Sequence, residues 1–438
     1  MSEAPIAVIG GSLAGLAAAA RLAKQRHRVV LFEAGDTLGG RWAQPGVLPP
    51  VITLPAPWRD VFRKSGRPFD AELARTGHAL VPAPPAVHHF ADGGTLTLPT
   101  DRGDQWAALT AAWGRPAATR WRDLLDDLDE RWQILRRLGL EDEFTDADLT
   151  PQRRARLGLN HTVKHLARGI DHPQAAALIR STAWRIGSDP ARTPGFVAVR
   201  LALERTFGRW QLTRDGAPVP GTDLLDLLAA RLALRGVEFR LGEPVTALRP
   251  GVVVTEGGEV AVRAMVTAVN PWEHRHLTGQ PEPWWRRTKP ALAPRVRVSS
   301  ADSVSSGTAD DAQTHTVFAG GGPKPGTVPE LWPNVVETVI HGPSGPRVEY
   351  RLPGQVITHD FTRAEAEPGF GTRWTSPRTW LQLPPLRTGD PGTVTASASS
   401  RGGNDPWAQL LSGALATYVL HENLTGADIR PTNKAVRP

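Results

Sequence analysis

The first 42 residues constrain this chain more than any other stretch. Ile6-Ala7-Val8-Ile9 is a short apolar run that reads as a buried strand. Gly10-Gly11-Ser12-Leu13-Ala14-Gly15 follows at once, then an Ala/Leu-rich segment, Leu16 to Lys24, that reads as a helix. Val29-Val30-Leu31-Phe32 is a second buried strand with Glu33 at its end. Strand, glycine turn, helix, strand and acid, with the acid about 20 residues past the glycines, is the pattern of a dinucleotide-binding unit. The helix N-terminus offers unpaired N–H groups and partial positive charge to a diphosphate. The Glu33 carboxylate can accept from both ribose hydroxyls. One position departs from the pattern: Ser12 stands where the middle glycine lets the backbone approach the ligand. Its hydroxyl can itself donate to a phosphate oxygen.

At 438 residues the chain is too long for one compact core, which predicts two linked domains. Cysteine is absent, so disulfides, thiolate metal sites and a catalytic thiol are excluded. The net charge of +7 is spread along the chain, without the basic tail or interleaved aromatics of a nucleic-acid reader. No apolar run reaches the ~20 residues of a spanning helix. No signal peptide precedes the first strand, and the expected location is cytoplasmic, with a peripheral membrane contact as an option.

Further along, Ala34 to Arg41 reads as a loop in which Gly39-Gly40 lets the backbone pass close to a ligand and Arg41 can meet a phosphate. Residues 43–57 read as a Pro/Gly-rich loop. His88 to Leu98 is a hairpin about Asp92-Gly93-Gly94. Asp104 to Gly114 and Ala117 to Leu138 are helical. Arg153 to Ile170 is one basic amphipathic helix, with Leu159, Val163, Leu166 and Ile170 on one face. That helix either docks on a membrane surface or packs on the core, and the second is the simpler account. Thr222-Asp223 reads as the N-cap of a helix over 224–234. Strands over 237–241 and 245–248, a hairpin over 252–263 and a buried strand over 265–269 return the chain to the opening parallel sheet. Strands are expected at 315–318, 335–340 and 348–352. Gly320-Gly321-Gly322 is a loop, because Pro323 and Pro325 forbid a following helix. Leu410 to His421 is a closing helix, and the last dozen residues are frayed.

These features together resemble the phytoene desaturase (carotenoid desaturase) family of FAD-dependent oxidoreductases, within the amine oxidase superfamily. The resemblance rests on the Gly10–Gly15/Glu33 unit and the Gly39-Gly40-Arg41 loop. It also rests on the block from Gly187-Ser188-Asp189-Pro190 through Phe207-Gly208-Arg209-Trp210 to VEFRLGEPVTAL (237–248) and MVTAVNP (265–271), and on the closing loop Ser399 to Pro406. It implies an α/β, two-domain FAD-binding fold. A Rossmann-like domain comprises 1–70, 215–285 and 386–426, a mixed-sheet and helical substrate domain comprises 71–214 and 286–385, and 427–438 is a tail. It implies FAD contacts from Gly10, Gly11, Ser12, Leu13, Ala14, Gly15, Glu33, Ala34, Gly39, Gly40, Arg41 and Trp42. Val245 is expected at the adenine, with Asn270, Ser399, Ser400 and Gly402 completing the set. It implies hydride transfer from a hydrophobic, polyene- or terpenoid-like small molecule to flavin N5, by desaturation, dehydrogenation or isomerisation, with oxygen or a quinone as electron acceptor. The chain departs from the family at Ser12, at Pro49-Pro50-Val51-Ile52-Thr53 and at Ala396-Ser397-Ala398.

Two other readings stay open at this point. An amine or amino-acid oxidase shares the first two motifs, but its aromatic cage would have to come from Tyr350 and Tyr418, or from Trp380 or Trp407. A binding protein on a flavoprotein scaffold would have lost its redox work. No acid–base residue stands out. His88, His89, Asp189, Arg192 and Arg209 are candidates, with the histidines read as surface or core residues and Asp189-Pro190 as a helix-stop turn. No spaced His/Asp/Glu cluster suggests a metal.

Overall fold

The computed structural model describes residues 3–281, 288–300 and 335–431. Its organising layer is a five-stranded, all-parallel sheet. The strands lie in the order Thr393–Thr395, Ala264–Thr267, Ile6–Ile9, Val29–Glu33 and Glu238–Leu241. The three longest-buried runs, IAVI, VVLFE and AMVT, are apolar on both faces, as a sheet covered on both sides requires. The first crossover leads from the central strand to Val29–Glu33 on one side. Ala264–Thr267 flanks the central strand on the other side. The strand order therefore reverses at the carboxyl end of Ile6–Ile9, where open α/β sheets bind ligands.

Two helices cover one face. Leu13–Lys24 contributes a nearly continuous stripe of buried Ala and Leu, and Pro406–Thr425 packs across it. The crossing is close: a Cβ on Gly413 would stand 2.2 Å from the Ala14 carbonyl oxygen. A three-stranded meander, Val245–Arg249, Val252–Thr255 and Gly258–Ala261, covers the other face through Leu248, Val253 and Val262. Beyond this layer lies a six-stranded mixed sheet, ordered Lys289–Ser300, Gln355–Arg373, Gly345–Leu352, Val336–Gly342, Ala86–His89 and Thr95–Leu98. The helices Arg102–Trp113, Arg115–Arg136 and Pro173–Trp184 form a separate apolar cluster rich in tryptophan.

Several sequence expectations need correcting. The first helix begins at Leu13, so Gly15 lies inside its first turn. The stretch after residue 43 is not all loop, since Val51–Thr53 pairs antiparallel with Arg209–Gln211. The basic segment 153–170 is two short helices, Pro151–Leu157 and Val163–Gly169. Gly158 ends the first at φ +63, and the Thr162 hydroxyl caps the second by accepting from the His165 N–H. Leu159, Val163 and Ile170 are buried, so the apolar face packs on the core. Thr222 precedes the helix Asp223–Leu234 without a side-chain cap. The closing helix is longer than expected, Pro406–Thr425. The expected strand at 315–318 and the glycine loop at 320–322 lie outside the described residues. Among those described, no helix is long and apolar enough to cross a membrane.

Candidate cofactor cradle and adjoining cavity

Because the sheet is parallel, the chain leaves four strands at the same edge. Gly10–Ser12, Glu33–Arg41, Ala268–Asn270 and Ala396–Ser400 meet there from distant parts of the sequence. The Ala396 N–H donates to the Thr267 carbonyl at 2.9 Å, which seats the closing loop beside the turn. Each glycine of the turn has a steric reason. Gly10 has φ +99, a left-handed conformation that favours glycine. A Cβ on Gly15 would stand 2.0 Å from the Gly10 carbonyl oxygen, so this glycine lets the helix start directly against the strand.

Glu33 is fixed by the backbone it serves. Its Oε2 accepts from the Gly11 N–H at 2.6 Å and its Oε1 from the Gly35 N–H at 2.9 Å. Each oxygen keeps a lone pair for a further donor. The Gly39 N–H donates to the Gly11 carbonyl at 2.7 Å, which ties the second loop to the first. Gly40, exposed and left-handed at φ +56, faces Ser12.

Ser12 does not behave as its position in the motif suggested. Its hydroxyl donates to the Ala268 carbonyl at 2.9 Å. The proton expected at a phosphate is spent across the sheet edge. The side chain is thereby turned to the neighbouring strand, and Ser12 makes no side-chain cap on the helix it precedes. The first-turn amides of Leu13, Ala14 and Gly15 stay uncapped, as helix N-termini that bind anions do.

The remaining expected residues fall into two groups. Arg41, Trp42 and Ser400 carry buried polar atoms without partners: Arg41 Nε and Nη1, Trp42 Nε1 and Ser400 Oγ. Burial pushes the Arg41 guanidinium down to about 9, with Glu367 pushing it back, so it stays cationic at neutral pH. By contrast, Asn270 and Ser399 are already engaged. The Asn270 side chain caps the helix Pro271–Thr278 by accepting from the Glu273 N–H at 2.9 Å, and Ser399 Oγ accepts from the Thr372 hydroxyl at 3.0 Å. Val245 packs beside Glu33's strand on the meander side, and the Glu243 N–H donates to the Glu33 carbonyl. Gly402 is a tight spot, where a Cβ would meet Leu140 at 2.5 Å. Ser397 shapes the closing loop: its hydroxyl accepts from the Ser399 N–H at 3.1 Å. The uncapped helix, the locked carboxylate and the unpaired buried donors of Arg41 and Ser400 fit a dinucleotide flavin.

Next to Trp42 lies a cavity that sequence reasoning did not anticipate. Arg185, Arg200, Tyr350, His359, Asp405 and Trp407 contribute to its lining. Behind it Glu337, almost fully buried, pairs with Arg185 at 2.9 Å and with Arg209. Burial alone would raise the Glu337 carboxyl, but Arg209 and Arg185 more than reverse this and hold it well below the usual range. Arg200 pairs with Asp405 at 2.9 Å and Glu204 at 3.2 Å. His359 donates from Nε2 to the Gly46 carbonyl at 2.7 Å, and burial pushes it down to about 4. Tyr350, Trp407 and Arg209 were named from the sequence, but Arg185, Arg200, Glu337 and His359 were not, because they come from separate elements far apart in the chain.

Among the catalytic candidates, His88 is buried against His341 and Phe90, and burial pushes it well below its usual value, so it is neutral. His89 pairs with Thr95 at the surface, and Asp189 accepts from the Ala191 N–H in a turn. The two-tyrosine cage does not form, since Tyr350 lines the cavity and Tyr418 a separate outer groove; of the alternatives, Trp407 joins Tyr350 on the cavity lining, whereas Trp380 sits among Phe144 and Phe196. Among the described residues, no group of three or more His, Cys, Asp or Glu could hold a metal ion.

A three-layer dinucleotide fold with this cradle defines a flavoprotein class. The chain belongs to the FAD dependent oxidoreductase family, whose profile matches residues 5–295. It is similar to the 4,4'-diapophytoene desaturase (4,4'-diaponeurosporene-forming) of Staphylococcus aureus strain Newman, at 28% identity over 219 residues. That match spans 46% of this chain and 42% of the desaturase, less than half of each. Solved structures share the fold. An oxidoreductase from Methanosarcina mazei superposes with a TM-score of 0.60 at 10% identity, over 94% of this chain and 99% of the other. Cyclohexylamine oxidase from Brevibacterium oxydans IH-35A gives 0.57 at 13%, over 96% and 99%.

Proposed function

We propose that this protein oxidises a hydrophobic small molecule, removing two electrons and two protons to form a carbon–carbon double bond, or shifts such a bond with no net loss of electrons. The observation that carries this reading is the 219-residue likeness to a diapophytoene desaturase. FAD, when bound, supplies the two-electron acceptor. The chain's own residues bind and orient it. On this reading Glu33 accepts from the ribose hydroxyls, and the amides of Leu13, Ala14 and Gly15 hold the diphosphate. Arg41 offsets its charge, and Val245 packs on the adenine. Asn270 contributes through its backbone, since its side chain caps a helix. Residues 1–70, 215–285 and 386–426 form the cofactor unit, and 71–214 with 286–385 the substrate unit. Trp42, Phe370 and Trp407 give the reacting end an apolar wall that excludes water. Oxygen or a quinone takes the electrons onward.

The test is direct. Purified protein should carry FAD, identified by mass after extraction. Anaerobic mixing with 4,4'-diapophytoene in lipid vesicles should bleach the flavin and extend the polyene absorbance. Anaerobic bleaching by putrescine or cyclohexylamine, with peroxide released once air is admitted, and no bleaching by the polyene, would replace this reading with amine oxidation.

A further inference from the structure

The cavity beside Trp42 is small, about 70 Å³. It has room for a head group. Val47, Ile52, Trp58, Phe361 and Phe370 form the apolar wall of the same cavity. The polar lining is dominated by donors. Arg185 Nη2 meets Glu337, which leaves its Nε and Nη1 without an acceptor among the described residues. Arg200 spends Nε on Glu204 and Nη1 on Asp405, which leaves Nη2. Trp42, only 5% exposed, presents an Nε1–H with no acceptor.

The nearby acids do not use up these donors. Arg185, Arg200 and Arg209 balance Glu204, Glu337 and Asp405 in charge. They do not balance them in hydrogen bonds, because a guanidinium carries five N–H groups in a fixed fork. A buried, donor-rich, cation-edged head pocket with an apolar wall matches one chemistry well. A planar carboxylate accepts from two guanidinium forks and an indole N–H at once.

We propose that this cavity binds the carboxylate of a long apolar acid, with Arg185 and Arg200 as its anchoring cations and Trp42 Nε1 as a third donor. This rests on the oxidoreductase reading above and narrows its substrate class from a hydrocarbon to a chain with an acidic end. Arg185 is a specificity-determining residue on this account. Arg209 already pairs with Glu337, so Arg185 can turn to the ligand without leaving that carboxylate alone.

The experiment uses the full chain loaded with FAD and two probes of equal length, octanoate and octan-1-ol, titrated by calorimetry. Octanoate should bind saturably, and octan-1-ol at least about tenfold more weakly, the worth of a charge-assisted hydrogen bond. Arg185→Met should erase the preference, and Arg185→Lys, which keeps the charge but loses the fork, should weaken octanoate by roughly tenfold. Flavin content should stay at the wild-type level in both. Equal binding of the two probes, no octanoate binding, or unchanged octanoate affinity in Arg185→Met overturns the proposal. If Arg185→Met does not fold, unchanged affinity in Arg185→Lys does the same. Wild-type protein that cannot take up FAD would defeat the oxidoreductase reading instead, and octanoate titration of that protein would still judge the cavity.

Discussion

The carboxyl edge of the parallel sheet and the cavity beside Trp42 are neighbours built by opposite means. The first is made of backbone. Its proposed donors are first-turn amides, its shape comes from Gly10, Gly15 and Gly40, and Glu33 is the carboxylate we propose for the ribose. The second is made of side chains, with Arg185, Arg200 and Glu337 arriving from three unrelated elements. A backbone site tolerates an odd residue, as Ser12 shows by turning its hydroxyl to Ala268. A buried charge network does not where its shared member is lost, because without Glu337 both Arg185 and Arg209 lose their acid.

The sharpest way to break this contrast is Glu337→Ala. It leaves Arg209 and Arg185 buried without their shared acid, and should cost about 3–5 kcal/mol in denaturant unfolding. An unchanged midpoint would mean that the network is not what holds this region. Acid should act next. His359 and His341 lie at about 4 and about 3 in the folded chain, both depressed first by burial. The unfolded chain therefore binds their protons more readily. Stability should be complete above about pH 6.5 and fall as the pH drops from there toward 4, by roughly 3 kcal/mol per histidine. A melting temperature that stays flat from pH 7 to about pH 4 would contradict the neutral, buried state of these rings.

Smaller effects probe the backbone site. Glu33→Ala should loosen FAD by about 1.5–3 kcal/mol, read by titrating apoprotein, because a charged acceptor is lost. Unchanged affinity would move the ribose elsewhere. Ser12→Ala should lower stability by about 1 kcal/mol, through loss of the bond to Ala268, while FAD affinity stays the same. A drop in FAD affinity there would show the hydroxyl serving the phosphate after all.

The same contrast explains what could be read without coordinates. The opening unit was legible because Gly10, Gly15 and Glu33 do their work at fixed spacing along the chain. The return of 237–269 to the first sheet was legible from its buried, β-branched runs. The division of 153–170 was missed because its apolar spacing continues through Gly158, whose left-handed turn breaks the helix without breaking the period. Helical Arg200, and Arg185 just beyond a helix end, drew no reading from the sequence, since nothing local records that Val336–Gly342 will bring Glu337 to meet Arg185. Asn270 was read as a ligand contact, yet its place just before Pro271 also marks a helix cap.

The order of the parallel sheet carries one more consequence. Ile6 pairs with Ala264, and Met265 in turn pairs with Thr393. The helix crossing Ala14 brings in Gly413. Residues as far along as Thr393 and Gly413 must therefore be made before the layer opened by Ile6–Ile9 can close. Until then the glycine turn waits as an unfinished loop with its flanking strand missing. Assembly of this layer should accordingly be slow, and flavin uptake should follow synthesis of residues 393–425 rather than of residues 1–42.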